Sequence, residues 1–345
     1  MIDSIVVGFG VAGVSVTAHL EALGKNVVVI DGNHVKASEV AGGMYNPVIL
    51  KRFSLAWNAD NQLEYAKSFY KTLEDKLGGS FNTVLDVYRK FNSVKEQNTW
   101  FAKLNNPVLD KYMCSDIKES PSNAIKGDFG FGKLTGTGRI EIAKLIKDYK
   151  NFLLKKEAYT NEEFDYKQLV INNDYVVYKG VKAKSIIFCE GYKMTGNPFF
   201  KTLPFIGNKG CYLIIECSDL KLEAVLKSHF FIIPIGGNKY KFGATYEHQF
   251  KDLDHDVETK KQLITEFEKV TSAPYKIVDQ IIGVRPTVID RRPLVGQHNK
   301  YKPLYICNGM GTRGIIVAPT VSNLLVNNII NNDVIPNEIN INRFS

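Results

Sequence analysis

Apolar and polar positions along this chain follow two regimes. In the first, short unbroken apolar runs are punctuated by glycine. Residues 4–31 read "SIVVGFGVAGVSVTAHLEALGKNVVVID". "SIVV" is a β-branched run of the kind buried in a parallel sheet. An apolar helix follows the glycines and ends at Leu23-Gly24, where glycine stops it. "NVVVI" is a second buried strand, closed by Asp31. The same signature returns in "KSIIFCEG" (184–191) and "PLYICNGMG" (303–311). Helical periodicity marks 59–78, through Leu63, Ala66, Tyr70, Leu73 and Leu77, and also 140–152. The second regime alternates. "FNTVLDVYRKF" (81–91), "KGCYLIIE" (209–216), "FFIIPIGG" (230–237) and "KYKFGATYE" (239–247) read as strands joined by turns. "HDVETKKQLITEFEKV" (255–270) is a charged amphipathic helix, and "ASEVAGGMYNP" (37–47) is too tight for helix or strand. The pattern predicts an α/β dinucleotide-binding fold interrupted by an antiparallel sheet.

Composition narrows the class. At 345 residues, 44% hydrophobic and 23% charged, the chain has material for about two domains. The sequence shows no uninterrupted apolar run of the roughly 18–20 residues that cross a bilayer. The start "MIDSIVVGFG" lacks the basic head of a signal peptide, so a cytoplasmic protein is expected. Cys114, Cys189, Cys211, Cys217 and Cys307 are sparse, with no C-x-x-C pair or zinc spacing. The net charge of +8 is modest and permits an anionic partner such as RNA without demanding one.

Gly8-Phe9-Gly10-Val11-Ala12-Gly13 carries the clearest chemistry. It follows a strand, opens a helix, and has Asp31 about 20 residues on, the full context of a dinucleotide loop. Gly8 permits the turn, Gly10 lets the backbone approach a pyrophosphate, and Gly13 lets helix and strand pack. An acid at position 31 suits a ribose and disfavours a 2′-phosphate, which leaves NAD or FAD. A second glycine loop, "NGMGTRGIIVAP" (308–319), runs into the first turn of a buried helix near Ala318-Pro319. A helix start offers free N–H groups and the positive end of a dipole, so this loop also suits negative charge.

Taken in order, these pieces resemble the D-amino acid oxidase superfamily of FAD enzymes, which includes glycine oxidase and sarcosine oxidase. The resemblance rests on the first loop with Asp31, "ASEVAGGMYNP", "TGTGRIEIAKLI", "IIFCEG", "PFIGNKGCYLI", "IIPIGGNKYKFGATYE", "GVRPTVIDRRPLVG" and "NGMGTRGIIVAP". It implies a discontinuous Rossmann-like FAD-binding domain (1–80, 135–200 and 284–345). A substrate or cap domain with an antiparallel sheet (81–134 and 201–283) is inserted in it. It implies non-covalent FAD, with the pyrophosphate at Gly8 to Gly13 and Gly191. Ser38, Ala41, Gly42, Gly43 and Met44 would lie around the phosphates and ring, and Ala158 at the adenine wall. Gly309, Gly311, Thr312, Arg313, Gly314 and Ile315 would face the pyrimidine edge of the isoalloxazine, which becomes negative on reduction.

The reaction implied is oxidation of a C–N bond: hydride passes from the α-carbon to the flavin, and the resulting imine is hydrolysed. Arg285, in "GVRPT", is the implied partner of a substrate carboxylate, with Tyr45, Tyr246 and Arg313 lining the pocket. Phe231 stands where glycine oxidase carries a substrate-facing tyrosine, which argues against glycine itself. "ASEVAGGMYNP" and "DRRPLVG…GTRGIIVAP" are most similar to the oxidase domain that acts in methylaminomethyl modification of tRNA wobble uridine. A free amine or amino acid and a tRNA-borne carboxymethylaminomethyl group are therefore both candidate substrates. A dehydrogenase using another acceptor, and a non-catalytic RNA-binding flavoprotein, are the remaining readings.

Overall fold

Two large sheets carry the two regimes. The computed structural model describes residues 1–250, 252–253 and 257–344. In the first sheet five strands run parallel: Tyr159–Thr160, Val27–Ile30, Ile2–Val7, Val181–Phe188 and Leu304–Asn308. Val181–Phe188 serves two neighbours. Its second half pairs with Leu304–Asn308, while its first half pairs with Val176–Tyr178, the start of a short antiparallel meander with Leu169–Ile171. Leu294–Gln297 closes the other flank antiparallel.

Alternation along the strands splits the core. Val6, Val29, Ile187 and Cys307 pack under the helices Val11–Ala22, Ala59–Leu77, Ile142–Lys155 and Gly314–Asn331. Ile5, Val7, Ile186, Phe188 and Ile306 face the opposite layer with Phe164, Phe200 and Tyr178. Helix Val11–Ala22 is buried on every face through Ala18, covered in part by Gly314–Asn331, and only its last turn reaches the surface.

That last helix differs from the sequence expectation in two ways. It is long and apolar enough to cross a membrane by length and composition, but half of it is buried against its neighbours, as in a core helix. It also starts at Gly314, so Pro319 lies inside it rather than at its entry. Proline offers no N–H to the carbonyl of Ile315. The fully buried Tyr70 hydroxyl donates to that carbonyl instead (3.0 Å).

The second sheet runs in the order Lys276–Val288, Phe205–Glu216, Lys239–Gly243, Phe231–Gly236, Val225–Lys227, Val87–Lys90, Phe131–Leu134. Its pairs are antiparallel except Val225–Lys227 with Val87–Lys90, which run parallel. The intervening chain passes through the first sheet, the long crossover a parallel pair needs. Helix Val257–Glu268 packs Leu263 and Phe267 on this sheet; the first two residues of the expected helix, 255 and 256, lie outside the described ones.

Two local expectations change. "FNTVLDVYRKF" is two strands, Asn82–Val84 and Val87–Lys90, in different sheets. Leu85 is held between them: its carbonyl accepts from Thr137 Oγ1 (2.6 Å) and its N–H donates to the Thr137 carbonyl (3.2 Å). "ASEVAGGMYNP" holds one helical turn, Ala37–Val40, and a two-residue strand, Met44–Tyr45, paired with Gly138–Ile140. Gly43 makes this possible: at φ +72° it lies flush on that strand, where a Cβ would stand 2.1 Å from the Ile140 carbonyl oxygen. The pairing is tertiary, so no local pattern announces it.

Candidate functional site

The site starts where two helices begin together. Val11–Ala22 and Gly314–Asn331 have no acidic residue in their first turns and no capping side chain at Gly10 or Arg313. A Cβ on Gly314 would come 3.0 Å from Val11 Cγ1, so the two N-termini are in contact. Two positive dipole ends thus serve one region. Gly8 and Gly13 allow the first loop to close: a Cβ on Gly8 (φ +90°) would meet the Cys189 carbonyl oxygen at 2.7 Å, and one on Gly13 would meet that of Gly8 at 2.0 Å. Phe9, fully buried, packs its ring edge-on against Tyr149 and Tyr159. Val11 and Ala12 form the first turn, and the Val11 N–H donates to Ser38 Oγ (3.0 Å).

Asp31 is buried and densely bonded. It accepts from the Phe9 N–H (3.0 Å) and the Tyr159 hydroxyl (2.7 Å), and pairs with Lys36 (3.1 Å). The acid therefore clamps the first loop to the strand Tyr159–Thr160. Ala158 lies at the same edge, its carbonyl accepting from the Val29 N–H (2.9 Å).

The loop after Ser38 is tied to the second sheet. Lys241 Nζ donates to the carbonyls of Val40 (3.0 Å) and Ala41 (3.1 Å). Burial, with help from the nearby Arg139 charge, pulls its pKa down to about 8. Gly42 packs against Ile233, where a Cβ would stand 2.4 Å from Cδ1. Met44 pairs with Arg139 across the small sheet.

Behind the glycine loops, Asn308 joins two strand ends: its Nδ2 donates to the Gly191 carbonyl (3.0 Å) and its Oδ1 accepts from the Gly309 N–H (2.8 Å). Glu190, beside Gly191, is buried against Tyr166 and Asn197, and burial pushes its pKa up to about 7. Gly191 and Gly311 both have φ +58°. A Cβ on the first would meet nothing within 4 Å, and on the second only Thr287 Cγ2 at 3.8 Å. Backbone is thus left bare on the side where the strand ends open. Thr312 is exposed, and Ile315 is buried against the helix layer.

Among the expected substrate residues, Arg285, Tyr246 and Arg313 come together. The Arg285 guanidinium stacks over the Tyr246 ring (4.4 Å), and its Nη1 donates to Asn208 Oδ1 (2.6 Å) and the Thr245 carbonyl (3.1 Å). Tyr246 itself is 65% exposed. Arg313, close enough for its charge to act on Tyr246, donates to the Asn46 carbonyl; burial lowers its pKa to about 10. Tyr45 is not brought to this group. It is buried, packs on Gly138, and donates its hydroxyl to Asn82 (2.8 Å). Sequence reasoning missed Asn208, Tyr212, Lys241 and Asn308. Asn208 is paired with Arg285 across the sheet and donates to His248 Nδ1 (3.2 Å); the Tyr212 hydroxyl lies against Gly42 and Arg285. A signal was available for two of them: Asn208 and Tyr212 flank the close-packed Gly210, where a Cβ would meet the Arg285 guanidinium at 2.5 Å.

The comparisons with known proteins agree with this architecture. Residues 3–327 match the family described as FAD dependent oxidoreductase. A stretch of 155 residues is 24% identical to the tRNA 5-methylaminomethyl-2-thiouridine biosynthesis bifunctional protein of Idiomarina loihiensis, covering 41% of this chain and 25% of that protein. The chain thus spans about a quarter of that relative's length. Among solved structures, glycine oxidase from Bacillus cereus superposes with a TM-score of 0.81 at 17% identity, covering 97% of this chain and 96% of that one. Iminodiacetate oxidase from Chelativorans sp. BNC1 gives 0.80 at 18% identity, covering 97% of each. L-Proline dehydrogenase from P. horikoshii gives 0.78 at 15% identity, covering 99% and 97%. These structural likenesses are likenesses of fold. The residues present fit FAD: two acid-free helix N-termini converge, and a Cβ would find open space at Gly191 and nearly so at Gly311.

Proposed function

Since the chain belongs to the family of FAD-dependent oxidoreductases, we propose that it oxidises the C–N bond of a carboxylate-bearing, glycine-like amine or amino acid. The observation that carries this is Arg285. Asn208 and Thr245 fix Nη1, Tyr246 covers one face, and these partners are all neutral. A guanidinium held in direction by neutral groups is ready for a carboxylate, and a two-pronged contact also orients the α-carbon. Bound FAD supplies the two-electron, hydride-accepting chemistry. The chain's own residues bind and orient. Arg285 holds the acid group, Tyr246 shields it from water, and the paired helix starts and Arg313 stabilise negative charge that develops beside them. A neutral substrate amine needs no separate base.

The test is anaerobic bleaching of the flavin by glycine, sarcosine, D-amino acids and N-alkylglycines. Arg285→Ala keeps the flavin and raises KM for carboxylate substrates about 100-fold, the worth of a charge-assisted pair. Unchanged kinetics would remove Arg285 from the site. Oxygen consumption during turnover separates an oxidase from a dehydrogenase. A second reading, oxidation of a tRNA-borne carboxymethylaminomethyl group, is supported by the likeness to the tRNA-modifying relative and by the +8 charge. That group is an N-alkylated glycine, so Arg285 serves it equally. Bleaching by undermodified tRNA alone selects this reading.

A further inference from the structure

Four cations surround the loop 40–46: Arg285, Arg313, Lys241 and Arg139. Among the described residues the carboxylate paired with any of them is Glu141, 3.2 Å from Arg139 Nη1 and itself 40% exposed. One substrate carboxylate matches Arg285. Arg313 stands at a helix start that faces the cofactor. Arg139 and Lys241 remain unassigned. Arg139 extends from Gly138–Ile140 beneath the loop: a Cβ on Gly43 would lie 3.4 Å from its Cγ. Its side chain is only 15% exposed, and its buried Nε has no partner among the described residues. Lys241 Nζ has the neutral carbonyls of Val40 and Ala41 and lies 6.0 Å from the Tyr212 ring. At its other end the Tyr212 hydroxyl lies against Arg285. One aromatic ring thus lies between two cationic points. Two like charges buried side by side are unfavourable, and the half-exposed Glu141 balances one of them. The nearness of Arg139 is visible in Lys241, whose proton is loosened first by burial and then by the Arg139 charge.

Building on the amine-oxidising reading above, we propose that the substrate carries two acidic groups: Arg285 holds the first, and Arg139 with Lys241 forms a second anion-binding point beside Gly42 and Gly43. The substrate class is an amino or imino dicarboxylate. An arginine beside a lysine suits a carboxylate better than a neutral group.

The test titrates the FAD-loaded protein with oxydiacetate and with methoxyacetate, following the flavin spectrum and the heat of binding. Both probes share a backbone and lack an oxidisable amine; they differ by one carboxylate. Oxydiacetate binds at least about 10-fold more tightly, the scale of one charge-assisted contact. Arg139→Met loses that preference and moves methoxyacetate less than about twofold, whereas Arg139→Lys keeps most of it. Equal affinity for the two probes in the unmodified protein overturns the proposal, as does binding of neither. So does an Arg139→Met that weakens both alike. Because no turnover is involved, failure of every amine to bleach the flavin would end the oxidase reading while leaving these titrations legible. The comparison within the unmodified protein also needs no variant to fold.

Discussion

The two glycine loops share a plan and differ in what stands beside them. Each follows a parallel strand and opens an apolar helix, and the two helices touch at Gly314 and Val11. The first loop is closed by its own backbone. Gly8 and Gly13 leave no room for a Cβ, and the charges nearby are the buried carboxylate of Asp31 and the Lys36 ammonium paired with it. The second is looser at Gly311 and carries a cation, Arg313, at the helix start, within reach of Tyr246. The same helix-end electrostatics is thus set among different neighbours: a buried Asp31 paired with Lys36 beside one loop and the Arg313 guanidinium at the helix start of the other. The lesson is that the helix start supplies the positive dipole end, and the side chains around it set its local field.

Substitutions can break that comparison loop by loop. The largest effect belongs to Gly13→Ala, whose Cβ falls 2.0 Å from the Gly8 carbonyl oxygen. Overpacking backbone this tightly costs about 3 kcal/mol or more. Urea denaturation reads it, and a variant as stable as the parent would mean the loop is not closed this way. Gly10→Glu acts on the ligand instead. At Gly10 a Cβ would meet only Ser38 Oγ at 3.2 Å, so the fold holds, but a carboxylate now occupies the phosphate position. The purified variant is colourless; a yellow one would overturn the first-loop assignment.

Glu190 sharpens the comparison because it sits directly behind the first loop, beside Gly191. Its folded pKa of about 7 lies above the ordinary 4.5. The unfolded chain therefore releases this proton first, and the native state loses stability as pH rises from about 4.5 to about 7, levelling above that. The full penalty is roughly 3 kcal/mol. Glu190→Gln removes this slope, so denaturation midpoints of variant and parent converge near pH 4.5 and separate at pH 8 in favour of the variant. Identical pH profiles would mean the carboxyl is not buried as described. The smallest effect is at the second helix. Tyr70→Phe leaves the Ile315 carbonyl, freed by Pro319, without its donor and costs about 1–2 kcal/mol in thermal or chemical unfolding. An unaltered midpoint would show that carbonyl satisfied in another way.

Much of the first loop was legible because each of its requirements is local. A strand, a helix and an acid within one βαβ unit place Gly8, Gly10, Gly13 and Asp31 with no help from the rest of the chain. The second loop was legible as a helix entry, whereas the donor that tolerates Pro319 inside that helix, Tyr70, lies far away in sequence and gave no local sign. The pairing of Met44–Tyr45 with Gly138–Ile140 had no local sign for the same reason.

What the sequence determined by itself is the strand, glycine turn and helix at the start of the chain, where backbone conformation, glycine and a helix end are enough. What only the tertiary structure decided is the grouping of cations around Arg285 and the loop 40–46. Arg285 acquires its direction from Asn208 across two strands, Asn308 locks Gly191 to Gly309, and Arg139 meets Lys241 from a different sheet. These relations depend on strand register, and register is fixed by which faces bury together over the whole molecule rather than by any short run of residues.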